Sequence, residues 1–422
     1  MTNSISIILP ALNDIQSCKV QIQALANQTI QPKEIIIIDS SSDAQIQEYI
    51  SALNYSDIIL YHRAGCASKF DRYFRLMINM FPFLKKFFLI KSVRLYPSEA
   101  SNLGAKIATG KILAFIDMST IPNYNWLEKS LELLTGETEI VFGSTTYQSS
   151  SFIQRCIHFS TFGSHAHESN PGTIIYKSSF QKNQMLEGVR AGADLEWRGR
   201  VKSNCNWKVL REPTLKYNSL PNSLFQFLKK MFVYQLHSAV LQIQVNAKDV
   251  VTFFLLILAS LVISRWNFLV GWESALYIPH ITKISLLIIN IFFLQLLILR
   301  RFGYGLFNRL PLPTINNFFV VIFLITLFMI SYTWNAAVAG WIESSRFYIP
   351  HLTKFFFSFL FLSLLLYRGI FFPIKRGISV KKLFPIQFVC IGMIGTLGDL
   401  VKIPGYLAGS FFSLFLSLKN KK

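Results

Sequence analysis

Three aspartates stand where a carboxylate could do chemistry. Asp39 closes the β-branched run at 34–38 and opens the polar loop Asp39-Ser40-Ser41-Ser42-Asp43. A carboxylate at the carboxyl end of a parallel strand can accept hydrogen bonds from a ribose or a base. The same position equally suits a helix N-cap or a turn residue. Asp117 ends a second apolar run, Ile112-Leu113-Ala114-Phe115-Ile116, and is followed by Met118-Ser119-Thr120. Asp194 lies in Ala193-Asp194-Leu195-Glu196-Trp197, with Arg198 and Arg200 close behind. On a helix Asp194 and Arg198 share a face, either as a plain ion pair or beside a phosphate. His165-Ala166-His167 invites a metal reading. Without an acidic partner at ligand spacing, a loop beside Asn170-Pro171-Gly172 explains the pair better.

The elements that must position these groups are legible around them. Residues 6–9 and 34–38 are short strands, and the helical spacing of Val20, Ile22, Leu25 and Ala26 lies between them. That is a β-α-β unit, so a parallel sheet is expected, with ligands at the carboxyl ends of its strands. A third strand is expected at 58–61. A helix containing Ser101-Asn102-Leu103-Gly104-Ala105 ends at Gly110, and the next strand delivers Asp117 to its tip. A further helix opens near Asn125-Trp126-Leu127-Glu128.

In this order and spacing, "ISIILPALND", "EIIIIDSSSD", "SNLGAKIATGKILAFIDMSTIPNYNWLE" and "AGADLEW" resemble the family-2 glycosyltransferases of the GT-A fold, over roughly residues 4–216. The resemblance implies an α/β, nucleotide-sugar-binding domain with a mainly parallel sheet. It places Pro10, Asn13, Asp14, Asp39 and Asn102 in the nucleotide-sugar pocket. Asp117 would open the D-x-D motif that holds a divalent cation, Mg²⁺ or Mn²⁺, on the donor diphosphate, with Ser119 at the second position. Asp194 falls where the family places its general base. An inverting transfer needs a carboxylate to take the acceptor proton and a cation to stabilise the departing diphosphate. The chain departs from the family pattern at Ser119, where a second carboxylate is usual, at Ser101, where Arg is usual, and at Ala193, where an acidic residue is common. The Q-x-x-R-W signature of processive polysaccharide synthases is not apparent after Asp194, which disfavours a polymer-extruding enzyme.

Composition divides the chain of 422 residues in two. The hydrophobic fraction is 52%, and long uncharged runs begin only after about Lys248. Residues 1–248 read as a cytosolic catalytic domain, with a basic, aromatic-rich amphipathic insert at about 62–97 that suits either a membrane interface or a helical insertion packed on the domain. Residues 4–9 read as a buried strand rather than a secretory leader. Residues 249–382 read as an α-helical membrane domain with apolar stretches at 250–266, 284–299, 318–334 and 355–372. "GWESALYIPHITK" at 271–283 recurs as "GWIESSRFYIPHLTK" at 340–354, which marks a duplicated two-helix hairpin. Arg300, Arg301 and Arg309, then Arg368, Lys375, Arg376, Lys381 and Lys382, set the intervening segments on the cytosolic side. Residues 383–422, broken by Pro385, Pro404 and several glycines, read as short interfacial or re-entrant helices.

The formal net charge of +20 lies largely beside apolar runs, so anionic lipid rather than nucleic acid is its expected partner. The scattered Cys18, Cys66, Cys156, Cys205 and Cys390 suit free thiols. The resulting expectation is a multi-pass protein of the cell (inner) membrane with a cytosolic catalytic domain. It would act as a hexosyltransferase-type, inverting enzyme that moves a sugar from a UDP- or GDP-linked donor to a lipid-linked or glycan acceptor for cell-surface glycan synthesis. A glycolipid transporter component and an inactive glycosyltransferase-like scaffold are the competing readings. Apart from Arg265, the apolar stretches carry almost none of the intramembrane charge that a transporter would use.

Overall fold

The computed structural model describes residues 4–53, 58–64, 95–241 and 361–419. Strand β1 (Ile5–Ala11), helix α1 (Ile15–Ala26) and strand β2 (Glu34–Asp39) form the expected β-α-β unit. Helix α2 (Gln45–Ser51) leads to β3 (Ile59–Arg63), and α3 (Pro97–Ile107) leads to β4 (Ile112–Phe115). After β5 (Thr120–Pro122) come α4 (Trp126–Leu133), β6 (Ile140–Tyr147), α5 (Phe152–Thr161), β7 (His167–Tyr176) and α6 (Lys177–Lys182). Helix α7 (Ala193–Asn204), β8 (Trp207–Val209), β9 (Leu215–Tyr217) and α8 (Leu224–Val240) follow.

The strands join in one sheet of order β3-β2-β1-β4-β7-β6-β9-β5, with β8 also paired to β6. The β3-β2-β1-β4 half is parallel throughout. Beyond it β7 runs antiparallel to both β4 and β6, and β5 antiparallel to β9. Strands β8 and β9 run parallel to β6, so the sheet is mixed but, as expected, mainly parallel. Short β5, β8 and β9 carry no crossover helix alternation that would mark their direction in the sequence.

The continuous Ile runs are explained by burial on both faces, as in other helix-covered parallel strands. Ile5, Ile7, Leu9, Ile35 and Ile37 pack with Cys18, Ile22, Leu25, Trp126 and Leu127 on one side. Ile8, Ile36 and Ile38 pack on the other side with Ala100, Ala105, Phe180, Trp197 and Val201.

The last described segment returns to this domain. A π-helical turn (Tyr367–Phe371) and a short helical turn (Phe372–Lys375) precede α9 (Gln387–Lys419). Residues 383–418 thus hold one long helix, not a set of short ones, even though Pro404 removes a donor from its middle. The glycines that suggested breaks are points of close approach. A Cβ at Gly405 would lie 2.6 Å from the Phe232 carbonyl oxygen, and one at Gly409 would lie 2.2 Å from that of Leu236. Helix α9 therefore packs almost backbone to backbone along α8. Arg368 donates from Nε to Asp399 (2.5 Å) and from Nη1 to the Ser160 carbonyl (3.3 Å), tying the returning segment to α5. Among the described residues, no helix is long and apolar enough to cross a membrane. The first three apolar stretches, both repeat loops and most of the basic insert lie outside the described residues, as does Cys66. The other four cysteines are free.

Candidate active site

The predicted site begins at the tips of β1 and β2, which lie in register with Pro10 opposite Ile38 and Ala11 opposite Asp39. Pro10, Asn13, Asp14 and Asp39 are brought together there. Asn13 takes a left-handed backbone, φ 45°, which a non-glycine residue adopts at some cost. It is held there because its N–H donates to Ser41 Oγ (2.7 Å) and its side-chain oxygen accepts from Ser42 N–H (2.8 Å). Asp14 caps α1, accepting from Ser17 N–H (2.9 Å). Asp39 is fully buried. Its Oδ1 accepts from the N–H and hydroxyl of Ser41 (2.8 and 2.5 Å), and its Oδ2 accepts from the Tyr61 hydroxyl (2.8 Å). Burial and this carboxylate together raise the Tyr61 pKa. Asp39 thus fixes the Ser41 turn and the Tyr61 hydroxyl around the tips of β1 and β2.

Asp117 follows β4 and is half-buried. Its Oδ1 accepts from Ser119 N–H (3.0 Å) and Ser119 Oγ (3.2 Å), which closes a tight turn. Burial raises the Asp117 pKa above the ordinary value, against the hydrogen bonds of Thr120 and Ser119 and the nearby Lys230 ammonium. Strand β9 is pinned to this turn. Thr120 pairs with Tyr217, and Asn218 N–H donates to the Ser119 carbonyl (3.3 Å). Tyr217 in turn accepts from Lys230 Nζ on α8 (3.1 Å). The same ammonium sits 5.4 Å from the Tyr217 ring centroid and 5.5 Å from that of Tyr234. Tyr147 completes an aromatic wall, 5.2 Å from Tyr217 between centroids and stacked on Phe162 at 3.7 Å.

Asp194 is exposed in the first turn of α7, just past Gly192 in a left-handed conformation (φ 85°). Its charge reaches the Tyr234 phenol, one of the groups that raise that pKa behind the larger effect of burial. The helix is anchored by buried Trp197, which donates from Nε1 to the Asn183 carbonyl (2.6 Å). Arg198 does not pair with Asp194. It donates to the carbonyl (2.6 Å) and carboxylate (3.4 Å) of Glu168, while Arg200 pairs with Glu196 (2.8 Å). Both guanidiniums thus have carboxylate partners other than Asp194.

Asn102, on α3, bonds the loop at 185–187. Its amide donates to the Met185 carbonyl (2.9 Å) and to Glu187 Oε1 (3.1 Å), and its oxygen accepts from Met185 N–H (3.0 Å). With Glu99, which accepts from Gly188 N–H (2.9 Å), it secures from α3 the loop that leads to Asp194.

No cluster of three metal-ligating side chains occurs among the described residues. Asp117 with Ser119 offers one carboxylate and one hydroxyl, too few oxygens for a hard cation unless a diphosphate adds its own. His167 opens β7, so the loop expected beside Asn170-Pro171-Gly172 is strand instead, and His167 Nε2 lies 2.8 Å from the Phe162 carbonyl oxygen. The groups missed from the sequence are Lys230, Tyr217, Tyr234 and Tyr147. The i, i+4 spacing of Lys230 and Tyr234 in "FQFLKKMFVYQ" was a signal, although no carboxylate marks it.

No known protein family matches this sequence. An uncharacterized glycosyltransferase of Rickettsia bellii (strain RML369-C) is 26% identical over 204 residues, covering 45% of this chain and 25% of that protein. The chain thus spans about a quarter of the length of that curated relative. Among solved structures, S. aureus TarS 1-349 in complex with UDP is 12% identical, with 56% of this chain and 65% of that one covered at a TM-score of 0.36. The mannosyltransferase PcManGT from Pyrobaculum calidifontis, in complex with GDP-Man and Mn²⁺, is 11% identical, with 56% and 63% covered at a TM-score of 0.36.

Proposed function

We propose that the chain transfers a sugar from a nucleotide-sugar donor to an acceptor hydroxyl. The observation that carries this reading is the placement of two carboxylates, half-buried Asp117 at a strand tip and exposed Asp194 at a helix start, around Lys230 and its tyrosines. Similarity to the Rickettsia glycosyltransferase supports it. The tips of β1 and β2 take the nucleoside, and the Asp117 turn faces the diphosphate. Asp194 removes the acceptor proton as the acceptor oxygen attacks the anomeric carbon. The bond from that carbon to the diphosphate oxygen breaks, and its electron pair leaves on the diphosphate. Attack from the side opposite the leaving group inverts the anomeric centre. Asp117 and Ser119 would hold a Mg²⁺ or Mn²⁺ ion there, which would supply Lewis-acid stabilisation of the charge on the diphosphate.

The acceptor we assign is lipid-linked, in a cell membrane, because apolar stretches follow the catalytic half in the sequence. Such an acceptor explains why a transferase domain would be tethered at the cytosolic face. The test is a thermal-shift panel of UDP- and GDP-sugars on the full chain, with Mn²⁺ and with EDTA. One donor class should raise the melting temperature, and release of its nucleoside diphosphate should follow when membrane extract is added as acceptor. Absence of any donor-dependent shift would reject the reading.

A further inference from the structure

The altered turn at Asp117 leaves a donor diphosphate short of positive charge, since Ser119 recruits a cation less well than a carboxylate. The protein holds a cation beside that turn. Lys230 donates to the Tyr217 hydroxyl (3.1 Å), and Tyr217 pairs in register with Thr120, three residues past Asp117. Among the described residues no carboxylate lies within ion-pair distance of Lys230, in contrast to Lys129, Arg198, Arg200, Lys202, Arg368 and Lys402. Its ammonium rests between the Tyr217 and Tyr234 rings instead. Aromatic faces hold a cation without neutralising it, so full charge remains for an anion.

We infer that Lys230 is a catalytic residue that contacts the donor diphosphate, aimed by Tyr217 and Tyr234, and supplies charge that the Asp117–Ser119 turn lacks. This inference rests on the donor-site reading above. In the transfer step the ammonium stays protonated and bonds the oxygen that receives the electron pair of the broken bond. The acceptor proton still goes to Asp194. Lys230 would lower the barrier because its hydrogen bond strengthens as charge develops on the leaving diphosphate. Tyr217 is a positioning residue, acting through the lysine.

The experiment is calorimetric titration of UDP, GDP and the matching monophosphates into the full chain and its variants, with Mn²⁺ and with EDTA. Lys230→Met should weaken diphosphate binding about tenfold to a hundredfold, the usual worth of a hydrogen bond to a charged group. Monophosphate binding should change less, and the loss should persist in EDTA. Lys230→Arg should recover part of the affinity, and Tyr217→Phe should lie between it and Lys230→Met. Lys229→Met removes the same charge from an exposed neighbour and should bind as the unaltered protein does. Diphosphate binding unaffected by Lys230→Met and Tyr217→Phe, or weakened equally by Lys229→Met, would overturn the inference while the donor site stood. Failure of the unaltered protein to bind any of the nucleotides would overturn the donor site and Lys230's role together.

Discussion

At the scale of single residues, Asp194 and Asp117 differ in what their surroundings ask of them. Asp194 is exposed and accepts no hydrogen bond from the described side chains, so its lone pairs are free to take a proton. Asp194→Asn should keep donor binding and the melting temperature while lowering turnover by about two to four orders of magnitude. Steady-state transfer with a labelled donor measures this, and near-normal turnover would remove Asp194 from the role. Asp117 is held differently. Because burial raises its pKa, the folded protein binds this proton more tightly than the unfolded chain does. Stability therefore falls as pH rises from the ordinary Asp range through the folded-state value. Asp117→Asn should be the more stable protein at neutral pH and lose that advantage on acidification below the ordinary Asp range. It should also lose metal-dependent donor binding. Denaturant titrations at several pH values check the first outcome, and a variant less stable at pH 7 would contradict it.

At the scale of elements, the division of labour between α3 and α7 explains how exposed Asp194, the proposed base, can be placed reproducibly. Asn102 and Glu99 grip the loop at 185–188, and Trp197 pins α7 from below. Asn102→Ala should cost about 1 kcal/mol for each hydrogen bond lost. It should lower turnover about tenfold by loosening the base, while the nucleotide affinity stays within about twofold. An equal loss in both would return Asn102 to the nucleotide pocket. The sequence made the first half of this architecture readable because β1, α1, β2, α3 and β4 alternate in period, with punctuation at Asn13 and Gly110. The boundary positions of Asp39, Asp117 and Asp194 were legible for the same reason. Lys230 was not, since its meaning comes from Tyr217, a residue thirteen positions earlier on a strand of three residues. The partner of Arg198 was misjudged because local helical spacing cannot show that Glu168 arrives from β7. The tail was misread for a physical reason too. Glycine weakens an isolated helix, but here it admits the backbone of α8.

At the scale of the whole molecule, this close packing connects the end of the chain to the candidate site. One face of α8 carries Lys230 and Tyr234 toward the Asp117 turn, and Phe232 and Leu236 meet α9 through Gly405 and Gly409. Gly398 similarly faces the Phe227 ring, where a Cβ would come within 2.9 Å. The ion pair of Arg368 with Asp399, extended by Lys402 (2.8 Å), fastens the same helix to α5. Thus the helix that carries Lys230 packs against a segment nearly 180 residues further along the chain. Gly405→Leu should force the two helices apart. Overpacking of this kind typically costs about 1–3 kcal/mol, which should appear as a lower unfolding midpoint. If α9 braces Lys230, the same variant should also weaken nucleoside diphosphate binding, with a smaller effect in a Lys230→Met background than in the unaltered protein. Such non-additivity is what two changes acting on one group produce. Melting curves and UDP or GDP titrations of the two single variants and the double variant decide the matter. A lowered midpoint with unchanged diphosphate affinity would confine α9 to stability, and additive losses would separate it from Lys230.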